Sequence, residues 1–340
     1  MDWFQRLTGF AEGDYRTTQA RLRVDDGWLH SEADGRRYAV GRFELVSLAT
    51  LRARAYGIQL PGGALTLGTL DGDVQRLHAD PDNAGAVFQV ASQFNMLEMI
   101  SPSVTPEHGV TGYALDRTQG PGCAIAAGAG TIWRNYLVPL DGQIGQTASR
   151  QLNGIAALGD ALSAALAVEP GALWQMRNGY LFPDHRQLAR IEAHLTGLDE
   201  VERDQLRSAL RFGLHQDVEV TERDATPGTL VTQVYCSALP IRYTMIPERH
   251  WTGFATLILE AAYEATLLAA VLNAARGGSR RVLLTRLGGG AFGNADAWIN
   301  RAILRALRLT AGQGLDVQLV SIGAPSSATR ALHAAWQNDV

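Results

Sequence analysis

Residues 281–307, RVLLTRLGGGAFGNADAWINRAILRAL, carry the residue types best suited to holding an anion. An apolar run ends in three glycines, then Ala-Phe-Gly-Asn, then a segment with helical spacing. Glycines between a strand and a helix leave backbone N–H groups bare and permit positive φ, which suits a phosphate at a helix N-terminus. A tight turn for close helix–sheet packing is the plainer use of the same glycines. Phe292 is poorly explained by turn geometry, whereas an aromatic ring there suits stacking on a ribose or base. Gly288, Gly290 and Gly293 also spell G-x-G-x-x-G, the dinucleotide fingerprint. That reading fails. The next strand ends LVSIG, with Ser321 where a ribose-binding carboxylate belongs and Asp316 at the wrong end. Only one strand can follow the loop, so no three-strand mononucleotide unit can be built after Gly288.

Other chemistry is excluded by what the chain lacks. All 30 basic residues are Arg, so Schiff-base chemistry and a Walker A lysine are ruled out. Cys123 and Cys236 lie far apart, with no C-x-x-C and no Cys/His cluster, so no structural zinc is expected and the compartment reads as reducing. There is no G-x-S-x-G elbow, no H-E-x-x-H and no carboxylate run of calcium or magnesium type. Neither a metal nor a cofactor is expected. A net charge of −4 gives no general pull toward nucleic acid or an anionic membrane.

The elements that must position the loop follow from periodicity. Apolar content of 46% and charged content of 19% fit a globular chain with a substantial core. The segment 27–45 reads as two strands about an Asp34-Gly35 turn, followed by a helix that Ser47 would cap. GALTLGTLDGDVQRLHADPDN and AGAVFQVASQFN each offer a short apolar run bounded by breakers, as strands do. Residues 96–121 show no sustained periodicity, and so long a loop inside a compact domain is more often functional than not. GCAIAAGAG suits a helix packed tightly on the sheet, and WRNY (133–136) suits a pocket rim or a buried aromatic pair. Residues 150–215 look largely helical, and 254–275 reads as a buried helix because Glu260 and Glu264 interrupt it. The N-terminus lacks an apolar core of signal-peptide length, so a cytoplasmic protein is expected. Strand and helix alternation toward the C-terminus argues for an α/β sheet with helices on its faces.

Strand, LGGGAFGN, a helix with AWINRAI and a last strand together resemble the C-terminal part of the macrodomain superfamily. The Gly-Ala-Phe-Gly core is most similar to the poly(ADP-ribose) glycohydrolase-like branch. Upstream, DGDVQRL (71–77) resembles the Gly-Asp-Val start of a macrodomain, and VFQVASQFN (87–95) resembles the strand that ends in a ribose-binding Asn. The resemblance implies that Asp73 accepts from an adenine amino group, that Val74 lines the base, and that Asn95 reaches the distal ribose. It implies that Gly288, Gly289, Gly290, Ala291, Phe292, Gly293 and Asn294 form the loop around diphosphate and ribose. The fold implied is a macrodomain-like mixed sheet between helices, spanning 61–340, with an N-terminal β-rich extension over 1–60 and a helical insertion at about 150–225.

Departures from the pattern decide what can be carried over. Neither the triple glycine after the Asn nor the paired glutamates of the glycohydrolase branch are present. The family's catalytic residue therefore has no counterpart by motif. Cleaving a glycosidic bond at a ribose needs a carboxylate or an ordered water, and the candidates near Asn95 are Glu98, Asp116 and Gln119. The expected function is binding of ADP-ribose or an ADP-ribosylated species, with hydrolysis of an ADP-ribosyl bond. The alternatives are a non-catalytic ADP-ribose reader and an NAD-dependent oxidoreductase.

Overall fold

The computed structural model describes residues 1–32 and 35–339. Seven strands build the central sheet: β1 Arg42–Ser47, β2 Thr66–Asp71, β3 Val87–Ala91, β4 Arg211–Glu219, β5 Leu230–Cys236, β6 Arg281–Leu284 and β7 Asp316–Ser321. Their spatial order is β1-β4-β5-β3-β6-β7-β2. The five strands from β5 to β2 are parallel, while β4 runs antiparallel to both β1 and β5. Parallel strands covered on both faces read as continuous apolar runs, and β3 is such a strand, with Val87 to Val90 all buried.

Helices cover both faces. On one lie α3 (Leu48–Ala55), α8 (His185–Gly197), α9 (Glu200–Ala209), the 24-residue α10 (Thr252–Ala275), α11 (Asp296–Leu309) and α12 (Ser327–Gln337). On the other lie α4 (Val74–Ala79), α5 (Gln119–Ala126) and α6 (Gly128–Tyr136). Although α10 is long and apolar enough to cross a membrane, it is the core helix of the first face, with most of its residues buried. Ser47 caps α3 as the sequence suggests, and Asp199 and Glu202 form a capping box on α9.

The N-terminal part differs from the expected β-rich extension. It opens with two helices, α1 (Trp3–Thr8) and α2 (Tyr15–Arg21), each started by an Asp cap. Strands 28–30 and 37–39 pair as expected, but Asp34 of the turn lies outside the described residues. Arg42–Ser47 is an edge strand of the main sheet, so 1–60 is not a separate layer. The insertion is also shorter than expected. It comprises α7 (Ala156–Ala165), the hairpin Gln175–Arg177/Tyr180–Phe182, α8 and α9, whereas 211–219 returns to the sheet as β4. Phe212 and Leu214 of β4 face one helical layer and Val218, beyond a bulge, faces the other, so the strand shows no sustained period of two in sequence.

The long segment after β3 is pinned rather than free. Glu12 accepts from the amides of Val110 and Thr111 at 2.8 and 2.7 Å and from the Tyr136 hydroxyl at 2.7 Å. The N-terminal helices thus share a hydrophobic cluster with Leu97, Met99, Tyr113 and α6.

Candidate functional site

The C-terminal ends of β2, β3, β5, β6 and β7 share one edge of the sheet, the edge where open α/β sheets bind ligands. There the sheet splits. β6 pairs with β3 only at Val87 and Phe88, leaving the side of 89–91 that faces β6 free of ladder bonds. Gln119, the first residue of α5, fills part of the gap. Its Oε1 accepts from Ala91 N at 2.9 Å and its Nε2 donates to Gln89 O at 2.7 Å. The helix start comes so close that a Cβ on Gly120 would lie 1.9 Å from Ala91 O and 3.3 Å from Glu98 Cγ.

A two-lobed cleft occupies the split. The smaller lobe, about 230 Å³, lies between the Gly288–Phe292 loop, α5 and the loop after β3. Three rings wall it: Phe292 lies 5.5 Å from Tyr180 and 5.6 Å from Tyr243, which are 5.6 Å from each other. The larger lobe, about 710 Å³, runs past Asp73, Val74 and Arg117 to Trp3 and Ile322. Asp116, Thr118, Gln119 and Thr285 border both lobes, so together they form one trough of nucleotide size.

Glu98 lines the small lobe although only 1% of its surface is exposed. Neither carboxyl oxygen has a hydrogen-bond partner among the described residues. Burial pushes its carboxyl up to about 8, against the opposing pull of Arg134. The chain reaches this position through Met96, which adopts φ +61, a left-handed conformation costing a non-glycine residue roughly 1–2 kcal/mol. The Gln93 side chain closes the turn by accepting from Met99 N at 2.8 Å. A buried carboxyl beside a cavity that stays neutral at neutral pH holds a proton it can give.

The glycine loop divides into shaping and presenting residues. Gly288 has φ +72, and a Cβ there would lie 2.4 Å from Ala238 Cβ; Gly293 has φ +75 against the Arg242 side chain. Asn294 N donates to Gly288 O at 2.9 Å and its Nδ2 to Leu239 O at 2.9 Å. Gly289 N donates to Arg286 O and Gly293 N to Gly290 O, so Gly289, Gly293 and Asn294 hold the loop's shape instead of facing the cleft as expected. The amides of Gly288, Gly290, Ala291 and Phe292, all lining the small lobe, have no partner among the described residues.

Other expected residues divide in the same way. Asp73 borders the large lobe with Val74, and its Oδ1 caps α4 by accepting from Gln75 N at 2.9 Å. Asp116 stands between the lobes, with Oδ1 accepting from Thr118 N at 2.8 Å. Gln119 borders the cleft, but both ends of its amide are spent on β3, which corrects its expected role in catalysis to one of position. Asn95 is corrected more severely. It is fully buried, its Nδ2 donates to Gln151 at 2.9 Å, and its Oδ1 accepts from Leu97 N at 3.1 Å. The hairpin of the insertion seals it, since a Cβ on Gly179 would lie 2.6 Å from Asn95 Cγ. It does not line the cleft.

Tyr180 and Tyr243 are the site residues that motif reasoning misses, and Arg134 of the WRNY segment, read as a pocket rim or buried pair, is fully buried behind Glu98. Asn178-Gly179, with φ of +47 and +80, is a hairpin signal that could have placed Tyr180 on a strand end, though not over β3. Among the described residues no three His, Cys, Asp or Glu side chains converge as metal ligands. A second hollow of about 720 Å³ lies on the α10 face, where Arg52, Asp204, Glu264 and Arg305 satisfy one another.

No protein-family model matches the chain. No curated protein matches it either. Among solved structures it is similar to the poly(ADP-ribose) glycohydrolase of Thermomonospora curvata, with 15% identity over 92% of this chain and 94% of that one and a TM-score of 0.44. It is also similar to the Deinococcus radiodurans glycohydrolase in complex with ADP-ribose, with 11% identity over 88% and 95% and a TM-score of 0.45.

Proposed function

We propose that this protein binds ADP-ribose, free or attached to an acceptor, in a macrodomain-type cleft and hydrolyses an ADP-ribosyl glycosidic bond, with Glu98 as proton donor. The observation that carries the reading is the unpartnered carboxyl of Glu98 in the small lobe, beside the unpartnered amides of Gly288, Gly290, Ala291 and Phe292. A pyrophosphate accepts hydrogen bonds from clustered main-chain amides, which that loop supplies. The large lobe, with Asp73 and Val74, takes the adenosine, and the aromatic lobe takes the distal ribose over Glu98. As the bond breaks, the leaving oxygen takes its electron pair and the Glu98 proton. Water then bonds to the anomeric carbon and returns a proton to the carboxylate. Asp116, between the lobes, is placed to orient that water.

Calorimetric titration with ADP-ribose, AMP and NAD, followed by release assays on an ADP-ribosylated protein, tests both halves. Expected are a clear preference for ADP-ribose and release that falls about 10²–10⁴-fold in Glu98→Gln with binding retained. A preference for NAD would overturn the ligand, and no release by the parent protein would remove the enzymatic half.

A further inference from the structure

The guanidinium of Arg134 is fully buried, and three neighbours fix it. Its Nε donates to Met96 O at 3.1 Å, Nη2 donates to Thr131 Oγ1 at 3.1 Å, and Nη1 lies 3.1 Å from His215 Nδ1. His215 Nε2 lies 2.6 Å from Val40 O, which can only accept, so Nε2 carries the proton and Nδ1 is left to accept from Arg134. Burial and the Arg134 charge push this imidazole down to about 3, in keeping with that neutral form. The ring of Tyr235 lies 3.8 Å from Arg134 Cζ. Thus tethered, Nη2 stops 3.7 Å from Glu98 Oε1, beyond hydrogen-bonding distance yet well within Coulomb range.

The other titratable groups near Glu98 are Tyr113 from the turn Thr111–Leu115, Cys123 from α5 and Tyr235 from β5. Burial raises each of them, which leaves them neutral. Asp116 borders the same lobe with its Oδ1 turned to Thr118 N. Arg286 also borders the lobe, but its guanidinium donates to Asn300 and Asp296, so Arg134 is the cation at hand for Glu98.

We propose that Arg134 is a positioning residue for Glu98: its tethers hold the cation within ion-pair range but just short of a hydrogen bond, so that Glu98 keeps a proton to give and the carboxylate left by giving it is stabilised. The inference rests on the reaction assigned above. A direct Arg–carboxylate bond would fix Glu98 as an anion with no proton to donate. Removal of the cation would leave the anion buried with no counter-charge.

The test is carbon-13 NMR of the ligand-free protein with labelled glutamate carboxyls, the Glu98 signal being assigned by its loss in Glu98→Gln. Arg134→Met should raise the Glu98 midpoint by about one pH unit or more and slow release at least tenfold. Thr131→Val removes the Nη2 acceptor at nearly constant shape, and the midpoint should fall as the guanidinium closes on Glu98. Unchanged midpoints in both variants overturn the inference. Should Arg134→Met not fold, Thr131→Val decides alone, a falling midpoint supporting the inference and an unchanged one overturning it. Because titration needs no substrate, a parent protein that releases nothing would defeat the enzymatic reading separately, while the midpoints still judge the arrangement.

Discussion

Two buried sets of charge lie on opposite faces of the same sheet, and they are built on opposite plans. On the α10 face, Glu264 accepts from Arg52 at 2.5 and 2.9 Å and from Arg305 at 2.5 Å. Asp204 accepts from Arg52, Arg207 and Arg305, and Glu260 accepts from Arg207 at 2.8 Å. Glu264 and Asp204 each have several donors, and Glu260 has one. On the cleft face, Glu98 has none, and its one cation is held 3.7 Å away. Charges that fasten helices together are saturated, whereas the carboxyl that borders the cleft is left without a hydrogen bond and is held neutral by burial.

Breaking one carboxylate on each face should separate stability from function. Glu264→Gln removes the buried partner that Arg52 and Arg305 share and leaves both of them to Asp204. Urea unfolding should show a loss of about 3 kcal/mol, the low end for breaking a buried pair because Arg52 and Arg305 still reach solvent. ADP-ribose affinity should not change. The same measurement on Glu98→Gln should show no loss at neutral pH, since an amide replaces a group already neutral there. Equal losses in the two variants would erase the contrast.

The sequence conveys the two faces unequally. Strands β2, β3, β5, β6 and β7, the buried helix α10 and the loop after β6 are all visible in it, because apolar runs bounded by Gly, Pro and Asp report local structure directly. The likeness of DGDV and LGGGAFGN to a known pattern points to the edge of the sheet where the two-lobed cleft lies. What it misplaces depends on contacts remote in sequence. Asn95 has the right type at the end of the right strand, yet a hairpin more than eighty residues later covers it. Gln119 looks like a reactive amide and is a spacer for a split ladder. Glu98 can be named from its nearness to β3, but its unpaired state requires α6 to hold Arg134 back, which no local pattern encodes.

Acidity offers a second way to sharpen the contrast, with a smaller effect. Burial raises Glu98 from 4.5 to about 8, so the native state holds a proton that the unfolded chain gives up above pH 4.5. Its contribution to stability is complete below that value and is lost, at about 1.4 kcal/mol per pH unit, until the folded group ionises near 8. His78 and His215 work in reverse. Burial lowers them from 6.5 to about 4 and about 3, so their contribution is present above pH 6.5 and is lost as the pH falls. Below pH 6.5 the two imidazoles outweigh the one carboxyl, and above it the carboxyl acts alone. These three groups together place maximal stability near pH 6.5, followed by a decline of about 2 kcal/mol toward pH 8. Melting curves of Glu98→Gln should lose that decline and keep the acid limb. A decline that survives the substitution would mean that Glu98 is already ionised at neutral pH, and the contrast with Glu264 would fail.

Phe292→Ala has the smallest expected effect and probes the cleft side by itself. The ring is half-buried against Tyr180 and Tyr243, but the loop's shape comes from Gly288, Gly293 and Asn294 through backbone bonds that do not involve it. Truncation should therefore leave the loop in place and remove one face of the small lobe. ADP-ribose should bind about 3–10-fold more weakly, the worth of one aromatic contact of about 1 kcal/mol. The melting temperature should change little, because one side of the ring already borders the cavity. A large drop in melting temperature with unchanged affinity would make Phe292 a plug for Tyr180 and Tyr243. The loop would then belong with the α10 face, as a device of stability.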